Sequence, residues 1–275
     1  MSRIAEIAPD VFAISNLIVA EERVSWIAHG LSGYEPHHQY FLRRPDVALL
    51  IDTGMTVHGE SMLAAIHELL GARQLFVYTT RSEPDCVGNL PRLVSAFPEL
   101  RLVNANVLNP AQLVHLPEGT EARHIAIQRM RYGETLDCIG FPHLRVIEPL
   151  IRLLGTSWLY DEMNDCQFSS DYFGVELMSS PEADVVRSTT EDQPDVALIR
   201  AGILAKFAWL AHADTDVLSA RWDDYFAKTQ PRILAPSHGR IVSGKNSVTL
   251  ALNCYRQAAF HPERKRRHPV VASHS

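Results

Sequence analysis

The stretch TTRSEPDCVGNL, residues 79–90, places three side chains able to hold a cation within four positions. Glu83 and Asp85 offer carboxylate oxygens and Cys86 offers a thiolate, donors that suit zinc or ferrous iron. Arg81 brings a permanent positive charge into the same turn. A guanidinium has only donors and stays protonated, so it cannot ligate a metal, but it can neutralise carboxylates through bidentate hydrogen bonds. The loop therefore poses a choice between a metal and a salt bridge.

Three further polar clusters follow strand-like runs: DTG at 52–54, FSSDYFG at 168–174 and APSHG at 235–239. Loops held by rigid strands are where sites are normally built, and four such clusters together mark one end of a sheet structure. Asp171 and His238 in the last two could join Asp85 and Cys86 around one ion. Asp52 is either a carboxylate that orients the site or a turn former. His37 and His38 are read as a solvated loop ahead of a strand. Cys138, Cys166 and Cys254 are read as core residues, and Phe207 and Trp209 as core or dimer surface.

The elements that would position these residues follow from periodicity. Strand-like runs fall at 11–15, 25–28, 38–44, 47–52, 74–80, 101–105, 121–128, 143–149, 156–161, 166–170 and 232–237. Helical spacing is expected over 58–71, from Pro84 to about Ala96, after Pro110, from about Asp195 to Lys228, and over 246–259. Strands, a helix, more strands, long helices and a final strand–helix pair predict two sheets covered by helices on the outside. No Pro/Gly/Ser-rich linker interrupts the chain, so one domain is expected over 1–260. A basic, flexible tail is expected over 261–275.

The 275 residues carry a formal net charge of −6 and are 46% hydrophobic, enough for a substantial core. The acidic balance gives no pull towards nucleic acid or anionic membrane. No apolar run approaches the ~20 residues of a membrane span, and the first residues lack the pattern of a secretory signal. A cytoplasmic protein with reduced thiols is the expectation, since the four cysteines are scattered without a C-x-x-C pair.

The order LLIDTG, TTRSEPDCVG, FSSDYFG and APSHG resembles the metallo-β-lactamase fold, an α/β sandwich of two β-sheets flanked by helices. Within it the sequence is most similar to the diiron domain of flavodiiron proteins and of single-domain oxygen-binding diiron proteins, whose loop reads His-x-Glu-x-Asp-His. ISNL, HLRVIEPLIRLLGTSWLYD and RILAPSHG extend the likeness over nearly the whole chain. The resemblance implies that one iron position would fall to Arg81, Glu83 and Arg152. The other would fall to Asp85, Cys86 and His238, with Asp171 as the bridge. Both histidines of the first iron are arginine here, so an intact diiron centre is not expected. Arg81 and Arg152 should instead form a salt-bridge network with Glu83, which a protonated His238 could balance. One Fe or Zn on Asp85, Cys86, Asp171 and His238 is the alternative.

Three functions stay open from these residues. The first is a degenerate, metal-free or mononuclear protein that binds or senses a ligand or a partner. The second is a mononuclear O₂- or NO-binding oxidoreductase, and the third a zinc-dependent hydrolase. The resemblance also implies a homodimer, or pairing with a metal-bearing relative or redox partner, and no FMN domain is expected.

Overall fold

A computed structural model describes residues 2–21, 24, 26–105, 109–116, 118, 125–152 and 155–260. The expected tail at 261–275 lies outside the described residues. VALLI and QLFVYT are near-continuous apolar runs, which is what parallel strands covered on both faces require. They form β4 (Val47–Ile51) and β5 (Gln74–Thr79), paired in parallel with Leu49 opposite Phe76. Helix α1 (Gly59–Leu70) makes the crossover between them.

The first sheet runs in chain order: β1 (Arg3–Ala8), β2 (Val11–Glu21), β3 (Ser32–Arg43), β4, β5, β6 (Arg101–Asn104) and β7 (Ile127–Arg129). The second sheet contains β8 (Thr135–Leu136), β9 (Phe141–Ile147), β10 (Trp158–Asp161), β11 (Cys166–Phe168), β12 (Val186–Arg187), β13 (Ile233–Ala235) and β14 (Ile241–Ser243). Its strand order is β12-β14-β13-β11-β10-β9-β8.

Three apolar clusters define the layers. Leu49, Ile51, Phe76, Val146, Leu159 and Phe168 meet between the sheets. Met62, Ile66 and Leu93 cover the outer face of the first sheet from α1 and α3 (Leu90–Ala96). Ile203, Trp222 and Tyr255 cover the second from α4 (Val196–Lys206), α5 (Asp216–Thr229) and α6 (Lys245–Ala259). This is the helix–sheet–sheet–helix sandwich that the sequence predicts.

Several boundaries differ from the sequence reading. The strand expected at 25–28 is a turn over the described 26–28, where the Trp26 indole donates to both oxygens of Glu35 at 2.9 and 3.0 Å. The helix expected after Pro110 is a single 3-10 turn, Pro110–Gln112. The helix from Pro84 is two pieces, α2 (Pro84–Val87) and α3, since Gly88, Asn89 and Pro91 break the run. The long stretch to Lys228 is likewise broken after Lys206. Of the strand expected over 121–128, residues 121–124 lie outside the described residues and the strand itself is Ile127–Arg129. Among the described residues no helix is long and apolar enough to cross a membrane.

Candidate functional site

The four polar clusters meet at one edge of the sandwich, because each follows the end of a strand. Asp52 follows β4, with φ +61°, and its carboxylate ties three of these ends together. Oδ1 accepts from the Thr80 amide at 2.7 Å, and Oδ2 from the Thr80 hydroxyl at 2.7 Å and the Ser237 hydroxyl at 3.2 Å. Burial raises the Asp52 pKa, opposed by Arg81 and by the bonds from Thr80. Asp52 thus braces the loops after β4, β5 and β13.

Arg81 follows β5 and points inward, 1% exposed. Its Nη2 contacts Asp85 Oδ2 and lies 2.9 Å from His238 Nε2. Its Nη1 donates to the Ser170 hydroxyl at 2.8 Å and sits 3.8 Å from Asp171 Oδ2. Its Nε reaches half-exposed Glu83 at 3.3 Å, a contact that solvent screens. Burial opposes the Arg81 charge, but Cys86, Asp171, Glu83 and Asp52 around it hold its pKa above the usual value.

His238 follows β13 and packs edge-on against His37, with ring centroids 4.3 Å apart. Nε2 of His238 lies 2.9 Å from both Arg81 Nη2, which can only donate, and the acceptor Asp85 Oδ2, so each tautomer of the ring finds a partner there. Nδ1 faces Glu35 Oε2, 3.8 Å away on β3. Burial and then Lys206 lower the His238 pKa to about 4, and Glu35 offsets part of this. His238 is therefore neutral near pH 7, which corrects the expectation that it carries a balancing charge.

The balancing cation is Lys206, at the end of α4, which the sequence reading did not single out. Its Nζ lies 3.1 Å from Asp171 Oδ2 and 5.5 Å from the centre of the Trp26 ring. Burial acts to raise the Asp171 pKa, but Arg81 and Lys206 overcome it and hold the group below the usual carboxylate range. Burial and Arg81 lower the Lys206 pKa. A lone lysine inside the apolar run GILAKFAWL was the signal available in the sequence.

Other expected positions fall elsewhere. Arg152 does not join Glu83: its Nη2 pairs with Glu148 at 3.1 Å and its Nη1 donates to the Tyr132 hydroxyl at 3.0 Å. This half-buried setting spares a second guanidinium the cost of full desolvation. Cys86 is fully buried on α2 with its sulfur 3.9 Å from the Thr80 hydroxyl, and burial raises its pKa well above the usual thiol value. The thiolate that a metal would need is disfavoured there. His37 and His38 are buried on β3 and not in a solvated loop, because β3 continues past Pro36 in register with β2. His38 is bonded at both nitrogens, to the Ser15 hydroxyl and the Gly239 carbonyl, each at 2.7 Å. Phe207 is buried, whereas Trp209 is 39% exposed. Cys166 is a core residue, Cys138 is exposed and Cys254 is half-buried.

Among the described residues, the side chains whose donor atoms come within 4.8 Å of one another in a metal-capable group are His37, Asp85 and His238. Cys86 and Asp171, expected as ligands, are not part of it. An iron pair does not fit these residues. Arg81 engages Asp85 and His238 through the atoms a metal would need, and Lys206 pairs with the carboxylate that would bridge.

The sandwich matches solved flavodiiron structures in its fold. The fold is the metallo-β-lactamase fold of flavodiiron cores. A diflavin flavoprotein A 5 fragment from Nostoc sp. PCC 7120 is 17% identical with a TM-score of 0.70, covering 94% of this chain and 96% of that one. The metal-soaked Flv1 flavodiiron core from Synechocystis sp. PCC6803 is 19% identical with a TM-score of 0.69, over 96% of this chain and 62% of that one. The flavodiiron protein from Giardia intestinalis is 18% identical with a TM-score of 0.65, over 94% and 59%. This chain thus spans about three fifths of the length of the latter two. No family model matches the sequence, and no curated protein does.

Proposed function

We propose that this chain is a flavodiiron-like core in which protein cations stand where metals would be held, and that it binds a ligand or a partner without iron chemistry. The observation that supports this most directly is the position of Arg81 Nη2, shared between Asp85 and His238 Nε2. A guanidinium cannot be deprotonated to make way for a metal, so an ion must displace it from both groups at once. Lys206 on Asp171 extends the same substitution to a second position. An assembly of two copies, or of this chain with a metal-bearing relative, is part of the reading.

Purification with excess Fe²⁺ or Zn²⁺ followed by elemental analysis tests it. The expected content is below about a tenth of an equivalent per chain, rising in Arg81→His, where a ligand replaces the blocking cation. One equivalent in the native chain would overturn the reading. A second reading is favoured by one observation: His37 Nε2 is buried without a hydrogen-bond partner, beside Asp85 and His238. One Zn²⁺ or Fe²⁺ on these three would supply Lewis-acid or O₂-binding chemistry once Arg81 swings away.

A further inference from the structure

β7 is the last strand of the first sheet and β8 of the second, and Gln128 of one and Thr135 of the other line a common surface groove of about 520 Å³. Its walls also include Met130, Glu134, Asp137 and Cys138, and among the described residues the lining shares none with the Arg81 cluster. Two sulfur atoms meet here: Cys138 Sγ lies 4.0 Å from Met130 Sδ, a weak thiol donor facing a weak thioether acceptor. The thiol therefore does not stand alone. Each sulfur is fixed by a different sheet. The Met130 amide donates to the Asn104 carbonyl on β6 at 2.9 Å, and its side chain, 7% exposed, belongs to the core with Leu136, Ile139 and Phe141. Cys138 is exposed on a 3-10 turn, Asp137–Ile139, which the Gly140 amide closes onto the Asp137 carbonyl at 2.9 Å. An accessible thiol thus has a buried thioether held against it.

Thiolate and thioether are soft donors, and soft donors select Cu(I) over harder ions. Zn²⁺ wants four ligands and Ca²⁺ or Mg²⁺ a shell of oxygens, neither of which two sulfurs supply. Sulfur–metal bonds of roughly 2.3 Å, the length zinc makes, would span the 4.0 Å gap at an angle of roughly 120°. That angle leaves the third position of a trigonal site facing the groove. We propose that Cys138 and Met130 form a solvent-open site for one Cu(I) ion, with the thiol proton released to solvent as the metal binds.

The exchange of one proton for one monovalent cation leaves the charge of the site unchanged, and copper keeps its oxidation state. The surroundings favour a cation. Burial raises the Cys138 pKa, its own backbone offsets part of this, and the carboxylates of Asp137 and Glu134 raise it further. The negative field that those carboxylates place on the sulfur also attracts Cu(I). Arg145, the one cation in the lining, is tied down by Glu162 at 2.8 Å and the Gly133 carbonyl at 2.9 Å. The site is independent of whether the Arg81 cluster holds a metal.

The full chain is titrated without air against Cu(I) held by bicinchoninate and kept reduced with ascorbate, and loss of the chelator's colour reports transfer to the protein. One equivalent per chain should transfer, and an equal concentration of Zn²⁺ should not compete for it. Cys138→Ser should abolish the transfer, since Cys86 and Cys166 are buried and Cys254 is half-buried. Met130→Leu keeps the apolar volume of a core position and removes only the sulfur. It should weaken binding at least about tenfold, the lower end of what losing even an outer-shell partner costs, with an unfolding curve that shows the variant folded. Native affinity in Met130→Leu would reduce the feature to an ordinary exposed thiol and overturn the proposal, as would transfer retained in Cys138→Ser. X-ray absorption of the copper-loaded native chain needs no variant: two sulfur neighbours at the metal are expected, and fewer than two overturn the assignment.

Discussion

Nη2 of Arg81 lies 2.9 Å from Nε2 of His238, and the same atom contacts Asp85. One donor group therefore satisfies an imidazole and a carboxylate that come from different strand ends. The loop after β5 and the loop after β13 are joined through it. Arg81 and Lys206 are two buried cations facing Asp85 and Asp171, with the buried carboxylates of Asp52 and Glu35 beside them.

Truncating Arg81 should be expensive. In Arg81→Met the carboxylate of Asp85, 6% exposed, loses its guanidinium and keeps only the imidazoles of His238 at 2.9 Å and His37 at 4.0 Å. Breaking one side of a buried pair costs about 3–5 kcal/mol, and urea denaturation of the variant should show a loss of that size. Adding Asp85→Asn removes the orphaned charge and should recover part of the loss. A double variant no more stable than Arg81→Met would mean that the pair does not hold the site together.

Much of this architecture was legible beforehand, and the failures share a cause. β4 and β5 were readable because VALLI and QLFVYT carry their burial in local composition. Arg81, Asp85 and His238 were readable from the order of polar clusters after strands. Arg152 was misplaced because a linear match cannot tell which way a side chain turns, and Glu148, four residues earlier, offered it a nearer carboxylate. Lys206 and Glu35 were missed because they lie far in sequence from the clusters and reach the site through tertiary packing. His37 and His38 read as a solvated loop ahead of a strand, whereas pairing with β2 carries β3 through Pro36 and both histidines.

Buried His38 makes the fold acid-labile in a defined window. Burial lowers its pKa to about 4, partly offset by its bond to the Gly239 carbonyl. Between about pH 6.5 and 4 the unfolded chain takes up a proton there and the folded chain does not. Stability is therefore retained above the unfolded value and lost as pH falls, at up to about 1.4 kcal/mol per pH unit for this one group. Denaturation midpoints measured across that range should fall towards acid, and His38→Gln should flatten the slope. An unchanged slope in His38→Gln would assign the acid sensitivity to other groups.

Trp26 and Glu35 supply another test at the edge of the site. Glu35 is buried and receives its two closest hydrogen bonds from the Trp26 indole. Trp26→Phe keeps the ring against His238 but removes the donor, leaving the carboxylate under-satisfied at a cost of about 1–3 kcal/mol. Guanidinium denaturation should detect it. Trp26→Phe with Glu35→Gln should be less impaired than Trp26→Phe alone, since the neutral amide needs less compensation.

Gly239 sets the direction of His238. Its φ is +74°, which strains any L side chain, and a Cβ there would come 2.7 Å from the backbone of Gly174. Gly174 belongs to the loop that carries Asp171, so the two loops approach backbone to backbone at this point. No flexible side chain is present to yield, and Gly239→Ala must push the loops apart. Overpacking of this kind costs about 1–3 kcal/mol, which thermal unfolding should report. The same displacement should pull His238 away from Arg81, so Arg81→Met should cost less in the Gly239→Ala background than in the native chain. Equal losses in the two backgrounds would place the strain outside the site.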